Sequence, residues 1–370
     1  MTILVYCLIA LLSLLFIWVT YNQFFMPRLA GQSTIDQEKP LVSILVPMRD
    51  EEANVVDLIK NLSALTYSNL EFIFLDDQST DSTSQLTRQE AHQLRNLKLL
   101  SGEDLPAGWV GKVHACHQLS QQANGAYLLF LDADVRLAPT TIEQAIALIK
   151  SQEAGLLTGF PRFPVSGLLA KLLVPMQHVL IYLHLPLYLA NRTTYVTASA
   201  AHGSFMFFES MTYRSIGGHQ SVKESLVEDV HLARAIKKSG ARACLANVTE
   251  HVTCYMYHQN RDVWQGFSKN AFPGIGRSYL LAVSIICLYS ALFIFPLILA
   301  GFAYTIAWYY ALPLLISLGI RLVIDQLANQ KNWIWLLMPF SALAFILILM
   351  KSMALAWSKS GFTWKGRTYS

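Results

Sequence analysis

The chain has 370 residues, of which 54% are hydrophobic and 14% charged, with a formal net charge of +4. An ordinary soluble domain is nearer one-quarter charged, so much of this chain is suited to an apolar phase. The basic excess is too small and scattered to argue for nucleic acid, and it suits anionic headgroups or a phosphorylated substrate. The five cysteines, Cys7, Cys116, Cys244, Cys254 and Cys287, have no paired spacing, so neither a disulfide framework nor a zinc site follows.

Residues 2 to about 25 carry no charge and are long enough to cross a bilayer. A basic start and a small-residue cleavage site are both missing, so 1–25 is expected to be a retained anchor. Arg28 and Lys39 follow it, and the positive-inside bias places the next domain in the cytoplasm.

From Lys39 to about Gly155 short apolar runs alternate with helical spacing. Leu41–Val46 reads as a strand ended by Pro47, and Val55, Ile59, Leu62 and Leu65 as the face of a helix. Leu70–Leu75 is a second strand ending in Asp76 and Asp77. Residues 78–82 are rich in helix-capping side chains, and Leu86 and Leu94 fall on the helix expected after them. Leu97–Leu100 is a third strand. Val113, Cys116, Leu119 and Ala123 mark a helix, Leu128–Leu131 a strand buried on both faces, and Ile142, Ala145, Ile146 and Ile149 another helix. This order predicts an α/β, three-layer domain with a mostly parallel sheet.

Chemistry is expected where the strands end, because open parallel sheets bind ligands beyond their carboxyl edges. Arg49, Asp50 and Glu51 follow the first strand, Asp76 and Asp77 the second, and Asp132 and Asp134 the Leu128–Leu131 strand. Asp132 and Asp134 share a face if the strand continues that far. Two carboxylates about 4 Å apart repel by about 4 kcal/mol at an effective dielectric near 20, which calls for a cation between them. A hard divalent ion that also bridges phosphates is the natural one. An isolated D-x-D reads equally well as a polar strand end before a turn.

Beyond Phe160, Leu168–Ala190 is apolar but broken by Lys171, Pro175, His178, His184 and Pro186. It is expected to lie in the membrane surface (about 167–190), with a buried helix as the alternative. Ala200–Phe208 reads as a strand. Glu228 and Asp229 open a helix, where the dipole favours acids and where acids are also ordinary starters. Apolar residues then run from Tyr279 to Ile320 without a charge, enough for two spans broken near Gly301 or Pro313. Trp333–Met350 is a further candidate. With three such crossings the basic tail, 358–370, would leave the cytoplasm, whereas Lys351, Lys359, Lys365 and Arg367 favour keeping it there.

Together these pieces resemble a family-2 glycosyltransferase with a GT-A (Rossmann-like) domain over 39–272, flanked by the anchor and by transmembrane segments over 279–357. The resemblance rests on Val46-Pro47-Met48-Arg49-Asp50-Glu51, Asp76-Asp77-Gln78-Ser79-Thr80-Asp81, Asp132-Ala133-Asp134 and Glu228-Asp229, in that order. Gly108-Trp109-Val110-Gly111-Lys112 and Trp364-Lys365-Gly366-Arg367 are most similar to enzymes that glycosylate carotenoids and related hopanoid or polyisoprenoid lipids.

The resemblance implies that Pro47, Arg49 and Glu51 line a nucleotide pocket and that Asp77 holds the uracil or ribose of a UDP-sugar. Asp132 would contact the ribose or metal, Asp134 would ligate Mn²⁺ or Mg²⁺, and Lys112 would touch the diphosphate or nucleotide. Asp229 would be the catalytic base, with Glu228 beside it. The family's Q-x-x-R-W motif is missing as such. Gln259, Arg261 and Trp264 come nearest to it at a different spacing, which puts their part in closing over the diphosphate in doubt and speaks against a processive polysaccharide synthase. His114, His117, His202 and His231 show no metal-like spacing and are expected in packing or surface roles.

The implied activity is inverting transfer of a sugar, with glucose expected, from a UDP-sugar to a hydrophobic polyisoprenoid acceptor. Its partners are a lipid bilayer and a lipid acceptor, without nucleic acid. The expected site of action is the inner membrane, multi-pass, with the catalytic domain cytoplasmic. A polyprenyl-phosphate sugar transferase or a polysaccharide synthase is the alternative within the family. A transporter or a scaffold with an inactive domain is the alternative outside it. The apolar segments hold few ionisable groups, with Arg321 and Asp325 near a span end, and that argues against transport.

Overall fold

The computed structural model describes residues 2–29, 39–257, 259–331 and 333–357, and the backbone of 362–364 and 367–369. Two compact units are present: Phe25–Arg162 with Pro186–Met256, and Met1–Phe24 with Phe163–Leu185 and Tyr257–Ser370.

The first unit is built on strands β1 (Val42–Met48), β2 (Leu70–Asp76), β3 (Leu97–Ser101), β4 (Tyr127–Leu131), β5 (Val135–Leu137), β6 (Ala154–Thr158), β7 (Phe205–Glu209), β8 (Arg242–Leu245) and β9 (Val252–Cys254). Seven of them form one sheet in the order β3-β2-β1-β4-β7-β6-β8, while β5 and β9 pair antiparallel beside it. Neighbours are parallel except at β7, which runs against both β4 and β6. This is the mostly parallel α/β architecture that the alternating pattern predicts. Ile44, Leu45 and Val46 are all fully buried, so both faces of β1 are covered and its side chains read as a continuous apolar run.

One core positions the chemistry. Leu45, Leu75, Leu128, Phe130 and Phe208 from the sheet pack with Ala115, Cys116 and Leu119 of the helix Gly111–Gln121 and with Leu232, Ala233 and Ile236 of the helix Glu228–Lys238. Two buried polar side chains hold the long connection before β7. Asn191 accepts from the Leu245 amide at 2.7 Å and donates to the carbonyls of Leu245 at 3.0 Å and Phe25 at 2.8 Å. Lys237 donates to the carbonyls of Ala190 at 2.7 Å and Ala198 at 2.6 Å.

Three local expectations change. β4 stops at Leu131, so Asp132 and Asp134 occupy the turn into β5 instead of sharing a strand face. The turn closes through the Val135 amide on the Asp132 carbonyl at 3.1 Å. The strand expected over Ala200–Phe208 begins only at Phe205, leaving His202, Gly203 and Ser204 in an irregular stretch. Leu94 lies past the helix Thr83–Glu90 in extended backbone.

In the second unit, Tyr279–Ala300, Trp308–Leu327 and Ile334–Trp357 are long and apolar enough to cross a membrane, as is Thr2–Phe25 at the start of the chain. The break expected near Gly301 or Pro313 falls at 301–307, and Pro313 sits in the first turn of the helix Leu312–Leu327, where a missing N–H costs nothing. The helix that starts at Tyr279 widens into a π turn at Ser290–Ile294.

The apolar segment 168–184 bends at Pro175 into Leu168–Leu173 and Met176–His184, while Leu187–Arg192 is a separate helix of the sheet-containing unit. The end of Met176–His184 is satisfied from the first helix. Trp18 donates to the Leu183 carbonyl at 3.0 Å, and Asn22 to those of Tyr182 at 3.0 Å and Leu185 at 2.8 Å. Arg321 and Asp325 pair at 2.6 Å, both buried, one turn apart on Leu312–Leu327. In the tail, Phe362–Trp364 pairs antiparallel with Arg367–Tyr369, and Lys359, Lys365 and Gly366 lie outside the described residues.

Candidate active site

The loops after β1 and β2 are stitched together. Asp50 and Gln78 both adopt left-handed backbone, with φ of 51° and 58°. The Asp50 amide donates to Ser79 Oγ at 3.0 Å, the Thr80 amide to Asp50 Oδ1 at 2.7 Å, and the Glu51 amide to Thr83 Oγ1 at 2.7 Å. Arg49 donates through Nη1 to the Asp77 carbonyl at 2.5 Å and the Gln78 carbonyl at 3.3 Å. Arg49 therefore ties the two loops to each other at a set spacing. Pro47 sits in β1 opposite Leu75 of β2. Asp77 is buried, its amide bonded to the Met48 carbonyl at 2.7 Å. The chain after β3 presses on it, since a Cβ at Gly102 would stand 3.1 Å from the Asp77 Cα.

The two helices that share the core begin at the same edge and bring their first turns together. Lys112 Nζ lies 2.6 Å from Asp132 Oδ1 and 3.7 Å from Glu228 Oε1. Asp229 accepts from the Gly203 amide at 3.0 Å and the Val230 amide at 2.8 Å. Gly203 is where these groups converge. A Cβ there would stand 3.2 Å from Lys112 Nζ, 3.4 Å from Glu228 Oε1 and 3.7 Å from Asp229 Oδ2. Only a residue without a side chain leaves the charges this close.

Crowded charge shifts the proton affinities. Burial, with Glu228 beside it, pushes the Asp229 carboxyl up to about 7. Burial, with Asp132 and Glu51 nearby, pushes Asp134 up to about 7 as well. Burial pulls Lys112 down, but Asp132 and Glu228 outweigh it and hold the ammonium well above its usual range. His202, buried and facing the Lys112 charge, is pushed down to about 3 and is neutral, its Nδ1 bonded to Ser204 Oγ at 2.7 Å. Burial raises the Cys116 thiol, on which the charges of Lys112, Glu228, Asp132 and Asp77 also act.

Asp134 is held from both sides. Arg136 donates to the carbonyls of Ala133 at 2.9 Å, Val135 at 2.8 Å and Asn54 at 3.0 Å, which ties the turn to the start of the helix Val55–Ser63. The Tyr255 amide donates to the Asp134 carbonyl at 2.9 Å, and the Cys254 thiol donates to Asp134 Oδ1 at 3.5 Å. The donors around the turn are hard oxygens, and burial, with Asp132 and Glu51 nearby, is what raises the proton affinity of Asp134. Among the described residues no group of three His, Cys, Asp or Glu side chains stands ready as a metal cage. Asp132 and Asp134 offer carboxylate oxygens of the kind a hard divalent ion takes.

Of the residues singled out in the sequence, Pro47, Arg49, Glu51, Asp77, Lys112, Asp132, Asp134, Glu228 and Asp229 all belong to the unit that holds the sheet, and Arg261 and Trp264 lie on the helix Asn260–Gly274 of the other. Sequence reasoning passed over Arg136, Gly203 and Cys254 and placed His202 among packing residues. Gly203 carried the one usable signal, a glycine at the start of an expected strand, where backbone approaches another group closely.

The fold and the charged strand ends define a GT-A-type α/β domain. The sequence model described as Glycosyl transferase family 21 matches residues 2–370, and the chain belongs to that family, which is of the family-2 type. It is 25% identical over 205 residues to 4,4'-diaponeurosporenoate glycosyltransferase of Staphylococcus haemolyticus, covering 53% of this chain and 52% of that one. It is 32% identical over 126 residues to beta-monoglucosyldiacylglycerol synthase of Nostoc sp., covering 34% and 26%. The chain thus spans about half the length of the first relative and about a quarter of the second. Its fold is like that of mannosyltransferase PcManGT from Pyrobaculum calidifontis, with a TM-score of 0.55 and 19% identity over 94% of this chain and 98% of the other.

Proposed function

We propose that this protein is a membrane-bound, inverting glycosyltransferase that moves glucose from UDP-glucose to a polyisoprenoid lipid. The observation that carries the reading is the convergence at Gly203 of Lys112, Glu228 and Asp229, with Asp132 bonded to the same lysine. A carboxylate whose proton affinity sits near neutrality is suited to general-base work at neutral pH.

In the proposed reaction the acceptor hydroxyl attacks the anomeric carbon from the face opposite UDP. A carbon–oxygen bond to the lipid forms, the bond to the diphosphate breaks, and UDP leaves with the electron pair. Asp229 takes the hydroxyl proton, a contribution of about 10²–10⁴-fold for a well-placed base. Lys112 stands where it can move from Asp132 towards the phosphates. A Mn²⁺ or Mg²⁺ ion on Asp134 and Asp132 would supply charge stabilisation on the leaving diphosphate. The structure of the mannosyltransferase of like fold is a complex with GDP-Man and Mn2+. Glu51 and Asp77 line the nucleotide side, and Arg136 and Gly203 keep the carboxylates in place.

The lipid acceptor is supported by the two relatives, whose names specify 4,4'-diaponeurosporenoate and beta-monoglucosyldiacylglycerol, and by the four apolar helices. Arg28 and Lys39 favour a cytoplasmic catalytic domain on an inner membrane. A carboxylate acceptor, as in the first relative's name, would need no base, and Asp229 would then only position it.

The test is to incubate membranes containing the protein with labelled UDP-glucose and extract the lipids. Label is expected in an apolar lipid carrying one sugar. Asp134→Ala and Asp229→Asn should each abolish labelling while the purified variants keep the wild-type melting profile. Full labelling by Asp229→Asn would remove the base assignment and favour a carboxylate acceptor.

A further inference from the structure

Asp229 sits in the first turn of the helix Glu228–Lys238, and Lys237 lies about 12 Å further along it, in the last turn. Lys237 is 3% exposed, and among the described residues its ammonium has no carboxylate partner. Nζ donates instead to three backbone carbonyls, those of Ala198 at 2.6 Å, Ala190 at 2.7 Å and Tyr195 at 3.5 Å. An ammonium has three donors to give, and a neutral amine has one fewer. A buried charge without a counter-charge is costly. A neutral amide does comparable work close by, where Asn191 holds the backbone of Phe25 and Leu245. The charge at Lys237 therefore needs a reason beyond fastening the chain.

The three carbonyls belong to the connection that runs from the helix Leu187–Arg192 to β7. Among the described residues, Lys237 is the only hydrogen-bond partner that 194–201 finds outside 193–201. The remaining bonds are short-range, such as the Ala198 amide to the Tyr195 carbonyl at 3.2 Å. Ala198 and Ala201 are small and Tyr195 is exposed, so packing adds little to hold this stretch. It runs directly into Gly203, whose amide donates to Asp229 Oδ2 at 3.0 Å. One helix thus grips the same connection twice, through Lys237 near its start and through Asp229 at its end.

The Gly203 bond favours the ionised carboxylate, against burial and Glu228, which favour the proton. Lys112 of the helix Gly111–Gln121 also favours ionisation, while His202 and His219 are kept neutral by burial. Around Lys237 the ionisable groups are Arg192, Tyr195, Arg242 and Cys244, with Arg234 and Lys238 on its own helix. None of them shifts it, and burial alone pulls its proton affinity down to about 8.

We propose that Lys237 is a positioning residue for Asp229, its ammonium clamping 190–198 so that the Gly203 amide meets the carboxyl that takes the acceptor proton. This rests on the reading of Asp229 as the general base.

The test reads transfer from labelled UDP-glucose in membranes containing the full chain, at saturating Mn²⁺ and from about pH 6 to about pH 9. Hydrogen exchange is followed in parallel on the purified full chain. In Lys237→Met the rise of kcat with pH should move up by about one unit, as a carboxylate that has lost one donor holds its proton longer. The rate then falls about tenfold at pH 6 and less than about twofold at pH 9. The KM for UDP-glucose should not change, and the peptide covering 194–204 should exchange faster than in wild type. Lys237→Arg, which keeps the charge and its donors, should recover most of the pH curve. Should Lys237→Met fail to fold, wild type supplies the measurement. Exchange in 194–204 should rise above its intrinsic pH dependence between about pH 7 and about pH 9, as the ammonium gives up its third donor, while β1 follows the intrinsic rate.

An unchanged midpoint in Lys237→Met, even with a rate lowered equally at every pH, would overturn the positioning role and leave Asp229 as the base. Exchange in 194–204 that ignores both the substitution and the pH would do the same. Full labelling by Asp229→Asn, or wild-type membranes that label no lipid, would overturn the reading beneath it, and the role of Lys237 with it.

Discussion

Gly203 shows how one residue can govern four charges. Gly203→Ala puts a Cβ 3.2 Å from Lys112 Nζ, tighter than an ordinary contact, and the long lysine side chain is the part able to yield. Drawing Lys112 off Asp132 by even 1 Å should slow transfer by about tenfold, equivalent to about 1.4 kcal/mol at the transition state. The melting temperature should stay within a few degrees of wild type, because the neighbour that gives is a partly exposed side chain. Steady-state rates and a thermal melt on the same preparation check both halves of this expectation.

The raised carboxyls of Asp134 and Asp229 set a pH dependence whose sign is fixed. Each binds a proton more tightly in the fold, at about 7, than its ordinary 3.8. Their contribution to stability is therefore full below pH 3.8 and is lost as pH rises through about 7. In chelator the melting temperature should fall between pH 6 and pH 8 as far as these groups decide it. Added Mn²⁺ should restore more at pH 8 than at pH 6, and transfer should climb with pH through about 7 as the base deprotonates. A stabilisation by Mn²⁺ that is flat across this range would separate the ion from Asp134.

Among the elements, the connections carry more consequence than the strands. Asn191 bonds three backbone groups of the sheet unit from a buried position, and Asn191→Ala would leave the Leu245 amide and carbonyl short of partners. A loss of about 1–3 kcal/mol is expected in a denaturation curve. Trp18 and Asn22 do the same for the end of the Met176–His184 helix. Asn22→Leu should make that end more open to hydrogen exchange, since polar backbone in an apolar surround has no water to turn to.

The strands β1 to β4 and the helices between them were legible because each buries a complete apolar run or stripe, and periodicity reports burial directly. Strand direction was not legible: β7 reads as Phe205-Met-Phe-Phe whichever way it runs, and an antiparallel insertion leaves no mark in such a run. The acids were found because charge after an apolar run stands out, whereas Arg136 and Cys254 matter through backbone carbonyls and a thiol contact that only the folded turn creates. The segment 168–184 was ambiguous for the same reason, its proline and two histidines fitting an interfacial helix or a bent, packed one equally well.

At the scale of the molecule, the sheet is assembled from two lengths of chain separated by a segment that belongs elsewhere, 163–185. β6 is synthesised well before β7, yet in the sheet β7 lies between β4 and β6. While a ribosome is still completing residue 200, β3, β2, β1 and β4 can already be zipped, but the outer margin of β4 has no neighbour and β6 has nothing to join. An unpaired margin of that kind is an invitation to pair with another nascent chain. The sheet can therefore close only after β7 has been made and has entered the slot between β4 and β6.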